Sequence, residues 1–149
     1  MPHYSYITRC ESFSAAHRLH SPMMNDQENV AIYGKCNHRN SHGHNYKVEI
    51  TMRGRIDPTT GMVINIKDLK ECMQVVLEQL DHRNLDKDVE YFFTKPSTTE
   101  NLAVYIWTEF QKAYIAHPIG TLSHARLYRV KICETDSNYV EYMGEGEDD

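Results

Sequence analysis

From His44 to Arg53 apolar and polar residues alternate, with Tyr46, Val48, Ile50 and Met52 apolar and Lys47, Glu49, Thr51 and Arg53 polar. A period of two predicts a strand with one buried face, and here the even side chains point to the core. Tyr4 to Phe13, rich in aromatic and β-branched residues, predicts a strand ahead of it. Leu127 to Glu134 and Tyr139 to Met143 predict two more, joined by a turn at Asp136-Ser137-Asn138. Between these pairs the period changes. Leu69, Met73, Val76, Leu77 and Leu80 recur at helical spacing from Lys67 to Leu80, behind Asn65 as the N-cap. Ser97-Thr98-Thr99-Glu100 has a capping-box pattern in which Ser97 and Glu100 satisfy each other's orphan amides, ahead of the apolar face Leu102, Ala103, Ile106, Trp107 and Phe110.

The order ββααββ predicts an α+β fold with a four-stranded antiparallel sheet and two helices. At 149 residues and 40% apolar content, the chain has the size and material of one domain, 1–149, whose last residues, Glu145 to Asp149, form a solvated acidic tail. So few elements cannot cover both sheet edges and both sheet faces. Pairing of edges between subunits is therefore expected.

Composition narrows the function. A formal net charge of −5 excludes a general nucleic-acid binder, which needs a basic surface to displace counterions from phosphates. No segment approaches the ~18 apolar residues of a membrane span, and the N-terminus lacks the apolar core of a signal peptide. Cys10, Cys36, Cys72 and Cys133 stand far apart with no CxxC pair, which suits free thiols in a cytoplasmic protein.

The candidate chemistry is concentrated between Gly34 and Tyr46, where His38, His42, His44 and Cys36 fall within nine residues. His42 and His44 share the parity of Tyr46, so both imidazoles project from the core face. They form either a pair of zinc ligands or a hydrogen-bonded core pair. A catalytic zinc site takes three protein ligands, and His17, just after the first strand, is the candidate third. Cys36 fits a base beside a metal, a further ligand or an inert thiol. Asp81-His82 fits either an oriented general acid or a helix cap. Glu134 continues the apolar row of Val130 and Ile132 with a carboxylate, which suits a bidentate contact to adjacent N–H donors of a heterocycle. The alternative, which the pattern alone favours, is that the strand ends at Cys133 with Glu134 in water.

Phe13-Ser14-Ala15-Ala16-His17-Arg18, Gly34-Lys35-Cys36-Asn37, His42-Gly43-His44-Asn45-Tyr46, Leu80-Asp81-His82, Ser97-Thr98-Thr99-Glu100-Asn101 and Glu134-Thr135-Asp136 occur in this order. Together they resemble the 6-pyruvoyl-tetrahydropterin synthase family from about Tyr4 to Glu145, and its animal members more than its bacterial ones. The resemblance implies the tunnelling fold, with a barrel completed by oligomerisation into a hexamer of two trimers. It implies one zinc per chain on His17, His42 and His44, Cys36 as proton acceptor, Asp81 and His82 as relay partners, and Glu134 as pterin anchor sharing in the relay. Thr98, Thr99 and Glu100 would help hold the ring.

The implied substrate is 7,8-dihydroneopterin triphosphate, with magnesium as a candidate companion of its phosphates and Lys35, Arg18 and Arg39 as candidate phosphate ligands. The side chain is oxidised as the ring is reduced, so no nicotinamide or flavin is required, and their Gly-rich fingerprints do not occur in the sequence. Two rival readings remain: a 6-carboxytetrahydropterin synthase and a catalytically silent zinc-binding assembly module. The stretch Ala113 to Arg126 is longer than the resemblance leads one to expect.

Overall fold

Strand β1 (Tyr4–His17) runs antiparallel to β2 (His42–Arg55) along its whole length, and this long ribbon is the frame of the molecule. A computed structural model describes residues 1–146; the last three residues of the expected acidic tail lie outside the described residues. On one face of the ribbon Phe13 opposes Tyr46, Ala15 opposes His44 and His17 opposes His42. Strand β4 (Arg126–Cys133) extends that face by pairing Ile132 with Val48 and Val130 with Ile50, and β5 (Tyr139–Tyr142) closes the far edge. Tyr46, Val48, Met52, Val130 and Ile132 are fully buried, as the alternation predicts.

Helices α2 (Ile66–Leu77) and α4 (Thr99–Ala116) pack on this face and against each other. Asn65 caps α2 by accepting from the Lys67 N–H at 2.9 Å. Leu69, Met73 and Val76 from α2 and Leu102, Ile106 and Phe110 from α4 are each at most 1% exposed. Burial of such a side chain stabilises by roughly 1.5–3 kcal/mol, so this layer is the main adhesive of the fold. The opposite face of the sheet is polar. It carries Thr8 hydrogen-bonded to Thr51, Lys131 beside Glu49 and Arg129 paired with Glu141.

Three expectations need correction. The sheet has five strands in the order β3-β1-β2-β4-β5 and is mixed, because Arg83–Asn84 (β3) runs parallel to β1 at Ala15 and Ala16. His82, in the left-handed region at φ 62°, turns the chain back so that its N–H reaches the Ser14 carbonyl at 2.7 Å. A two-residue polar strand has no alternation to read.

The helices also exceed two. Helix α1 (Asp26–Tyr33), the single turns α3 (Leu85–Asp88) and α5 (Ile119–Leu122), and 3-10 turns at Gly34–Asn37 and Glu90–Phe93 complete the chain. Finally, α4 is capped by Thr98 accepting from Asn101 N–H, so the Ser97–Glu100 box does not form. The cap lies one residue later than the pattern suggests, which leaves the Ser97 carbonyl and the Glu100 carboxylate free of helix duty.

The stretch Ala113 to Arg126, longer than the resemblance leads one to expect, is mostly helical. The last turn of α4 runs into α5, and Gly120 approaches the Tyr114 carbonyl so closely that a Cβ there would lie 2.2 Å from its oxygen. Only glycine fits this contact.

Candidate metal centre and adjoining recess

Antiparallel register brings the three histidines together. His17 faces His42 directly across the β1–β2 ladder, and His44 follows two residues along the same face. Their ring centroids lie 4.6 Å (His17–His42), 5.0 Å (His42–His44) and 5.2 Å (His17–His44) apart, with the rings steeply inclined. One nitrogen from each falls within 4.8 Å of the other two. Tetrahedral zinc with bonds of about 2.0–2.1 Å needs ligand nitrogens about 3.4 Å apart, so a small inward rotation completes the set.

The donor chemistry fits a metal. His17 is 1% exposed, and its Nδ1 lies 2.7 Å from the Ser97 carbonyl, which only accepts; Nδ1 therefore carries the proton and Nε2 presents a lone pair. The Nε2 atoms of His17 and His44 are buried and have no hydrogen-bond partner. Burial chiefly, and then the neighbouring imidazoles, lower the pKa of His42; burial also lowers that of His44, against the pull of Glu134. Burial and the neighbouring imidazoles thus favour neutral rings at His42 and His44, the form that binds a metal. Beneath them lies Tyr46, its hydroxyl buried without a partner and its pKa pushed up by desolvation and by Glu134 and Asp86. Tyr46 thus stays a neutral floor.

Beside the cluster opens a recess of about 490 Å³ lined by Leu19, Tyr33, Thr98, Thr99, Glu100 and Glu134, among others. Strand β4 does end at Cys133, yet Glu134 does not face water. Its side chain is 26% exposed, it accepts a hydrogen bond from the Thr99 hydroxyl, and its Oε1 lies 3.7 Å from His44 Nε2. All four residues expected to hold a ring therefore line one cavity. Tyr33, from a helix the periodicity did not announce, joins them; the signal was Asn25-Asp26-Gln27-Glu28, a capping box in which Asn25 and Glu28 bond each other's backbone.

Cys36 is half-buried on the 3-10 turn after α1, outside the three-ligand group. Its carbonyl accepts from Leu19 N–H at 3.0 Å, which fixes the turn two residues from His17. Asp81 and His82 lie elsewhere. Asp81 Oδ1 accepts from the Ser14 N–H at 2.9 Å and Oδ2 lies 2.9 Å from His82 Nδ1, at the sheet edge beside β3. The Ser14 amide bond, followed by the side-chain hydrogen bond with His82, holds the Asp81 carboxyl below its usual range. The His82 side chain is 84% exposed in an open groove lined by Ser14, Ala16, Gly43 and Asn45, whose alternation places them on the face away from the three histidines, and also by Ala15 and His44. One chain assembles the histidines and the recess, and the Asp81–His82 pair belongs to neither.

A second geometric cluster, Asp68, Glu71 and His117, joins α2 to the end of α4. His117 Nδ1 accepts from the Ile119 N–H at 3.1 Å, so Nε2 carries the proton and donates to Glu71 Oε2 at 2.7 Å. This polarity is the reverse of His17 and makes the cluster a clamp between helices.

Comparison with known proteins agrees with this architecture. A family model described as 6-pyruvoyl tetrahydropterin synthase matches residues 6–145. The 6-pyruvoyl tetrahydrobiopterin synthase of Poecilia reticulata is 57% identical over 141 residues, covering 94% of this chain and 90% of that protein. The human protein of that name is 53% identical over 140 residues, covering 93% and 91%. The solved structure of Caenorhabditis elegans 6-pyruvoyl tetrahydropterin synthase superposes with a TM-score of 0.87 at 46% identity, covering 95% of this chain and 96% of that one. The chain belongs to the 6-pyruvoyl tetrahydropterin synthase family.

Proposed function

We propose that this chain is a zinc-dependent lyase that converts 7,8-dihydroneopterin triphosphate to 6-pyruvoyl-tetrahydropterin and triphosphate. The observation that carries the reading is the 3.7 Å approach of Glu134 Oε1 to His44 Nε2, which joins a carboxylate suited to a pterin ring to the three-histidine cluster. In this role Glu134 accepts from the ring's 2-amino and N3–H donors, with Thr99 holding the carboxylate and Thr98 and Glu100 bordering the ring. The C1′ and C2′ hydroxyls of the side chain then lie against His17, His42 and His44. A bound zinc would supply Lewis acidity to those hydroxyls and so acidify the adjoining C–H bonds.

Cys36 removes the C1′ proton as a base, and the electron pair passes to the C6=N5 bond of the ring, which is reduced as it takes up a proton. Loss of the C2′ proton then forms a C2′=C3′ enol as the C3′–O bond breaks and triphosphate leaves, and tautomerisation of that enol leaves the dicarbonyl side chain. Electrons balance within the substrate, so no external redox cofactor enters. Proton delivery is assigned to Asp81 and His82 of a second copy, because within one chain that pair lines neither the recess that holds Glu134 nor the three-histidine group. Subunit sharing fits the open outer edge of β1, paired by β3 only at Ala15 and Ala16, and supports the hexamer that the resemblance implies. A cytoplasmic location agrees with free cysteines and with described residues in which no helix is long and apolar enough to cross a membrane.

Incubation of the zinc-loaded protein with dihydroneopterin triphosphate, followed by mass identification of the pterin, tests the proposal. The expected product carries a pyruvoyl group. A 6-carboxy product would assign the chain to the rival chemistry named in an archaeal relative 28% identical to it, a putative 6-carboxytetrahydropterin synthase. Absence of triphosphate release would leave only a metal-binding role.

A further inference from the structure

The polar face of the sheet changes character at one end. The even residues of β1 point away from the core, and over most of that face they are small, as Thr8, Cys10 and Ser12 are. At the start of the strand they are Tyr4 and Tyr6, 55% and 53% exposed. Tyr128, 41% exposed, joins them from β4 where the ladder register shifts between Thr51 and Met52. Tyr6 and Tyr128 meet edge to face, with ring centroids 4.7 Å apart. A group of three large exposed rings marks an interaction surface.

The same register gathers cations. Arg55 lies opposite Tyr4 and Arg53 opposite Tyr6, and Arg53 faces Arg126 on its other side. Like charges directly opposite each other weaken a ladder, so the Arg53–Arg126 pair costs stability. Among the described residues none of these three arginines forms an ion pair, whereas Arg9, Arg129 and Lys131 on the neighbouring strands all do. The carboxylate nearest in sequence, Asp57, lies outside ion-pair distance of Arg55, and its Oδ1 accepts from the Thr59 and Thr60 N–H groups at 2.7 and 2.9 Å. The Arg53 guanidinium sits over Tyr4 at 4.7 Å and Tyr6 at 6.0 Å, and these contacts hold rings and cation in a fixed relation.

Exposed aromatic rings beside unneutralised guanidinium groups suit a ligand that is planar at one end and densely anionic at the other. The net charge of −5 repels a long polyanion, whereas a local group of three arginines is enough for a short phosphate tail. We infer that Tyr4, Tyr6 and Tyr128 with Arg53, Arg55 and Arg126 form a surface site for a nucleoside diphosphate, the base stacking on tyrosine and the phosphates bridging the opposed arginines. The site is separate from the histidine cluster. Tyr4 and His17 are the two ends of β1, and a rise of ~3.3 Å per residue holds them about 40 Å apart. The inference therefore does not depend on the lyase reading.

The test uses zinc-loaded protein and ADP in titration calorimetry, with adenosine and ribose 5-phosphate as the separate halves of the ligand. ADP should bind at least about tenfold more tightly than either half. Tyr6→Leu/Tyr128→Leu should weaken ADP roughly five- to a hundredfold, the scale of one base–aromatic stack. Arg53→Gln/Arg126→Gln should weaken it roughly tenfold or more, as loss of charge-assisted hydrogen bonds predicts, and should melt no lower than the parent because it removes a like-charge pair. Zinc content and turnover of the pterin triphosphate should stay within about twofold in both variants, since the histidines stand at the far end of the strand. Lys70→Ala, an exposed lysine on α2, controls for bulk charge. ADP affinity unchanged in both double variants, or lowered equally by Lys70→Ala, overturns the site, as does ribose 5-phosphate binding as tightly as ADP. A short oligo(dA) bound more tightly than ADP and weakened by the same variants would make the surface a platform for single-stranded nucleic acid and overturn the mononucleotide assignment.

Discussion

His17 is tied to Ser97 across 80 positions of sequence by one hydrogen bond of 2.7 Å, from its Nδ1–H to the Ser97 carbonyl. That bond sets the tautomer that frees Nε2 for a metal, and it exists because α4 begins at Thr99 and not one residue earlier. At His117 the corresponding nitrogen accepts from Ile119, so the proton sits on the other side of the ring. Two clusters of similar geometry thus differ in proton position as well as in donor set. The expected outcome is about one zinc per chain by elemental analysis, lost in His42→Ala and His44→Ala and unchanged in His117→Ala. Zinc lost in His117→Ala with the histidines of β2 intact would reverse the assignment.

Cys36 stands outside the three-ligand group, on a turn held to Leu19. Cys36→Ala should therefore keep its zinc and its affinity for the pterin while turnover falls by roughly 10²–10⁴, the usual contribution of a general base. Zinc content is the deciding measurement. If metal leaves with the thiol, Cys36 is a ligand.

The parts of this molecule legible in the sequence are those with a repeating signal. The even residues of β2 predicted the buried face, and the same parity placed His42 and His44 beside each other. The apolar stripes of α2 and α4 were equally direct. What escaped has no period. Strand β3 is two polar residues whose place depends on the left-handed turn at His82, and helix α1 lacks an apolar stripe, since Val30 and Ile32 are exposed. Glu134 is the instructive case. By pattern it was a strand end, and only the distant Thr99 and His44 make it part of a site. The proposed pairing of Asp81–His82 with a second chain is likewise not readable from spacing, because no local rule encodes a contact between copies.

Asp81 supplies a pH dependence with a definite sign. Its carboxyl is held below the usual range, first by the Ser14 N–H, so the folded state favours the charged form. The stabilisation is present above the unfolded value of about 3.9 and is lost as pH falls through the lower folded value. Asp81→Ala should lower the melting temperature at neutral pH, and the difference from the parent should shrink below about pH 4. A gap that stays constant down to pH 2 would mean that the Ser14 and His82 contacts contribute nothing through charge.

Glu134→Gln keeps the shape of the side chain and replaces one acceptor oxygen with an NH₂ donor. Facing a ring donor, that group should weaken pterin binding roughly ten- to a hundredfold, the loss expected for a charge-assisted hydrogen bond of ~1.5–3 kcal/mol. Zinc content should not change. A fall in turnover with binding intact would place Glu134 in the proton relay, and no effect on either would move the anchor to Glu100, the other carboxylate of the cavity.

Subunit sharing makes the last prediction. His82 is 84% exposed and belongs neither to the three-histidine group nor to the lining of the recess that holds Glu134, so the proposed scheme draws His82 and Cys36 from different chains. Cys36→Ala and His82→Ala homo-oligomers should each be nearly inactive. After they are dissociated together and reassembled as a mixture, a site drawing its Cys36 from a His82→Ala chain and its His82 from a neighbouring Cys36→Ala chain is intact. Random assortment around a closed symmetric assembly makes roughly a quarter of the sites intact, so about a quarter of parental activity should return. The same protocol applied to Cys36→Ala mixed with His44→Ala should return nothing, because Cys36 and the histidines act within one chain in this scheme and no mixed site contains both. Equal recovery in the two mixtures, or none in either, would show that His82 and Cys36 do not act across a subunit boundary.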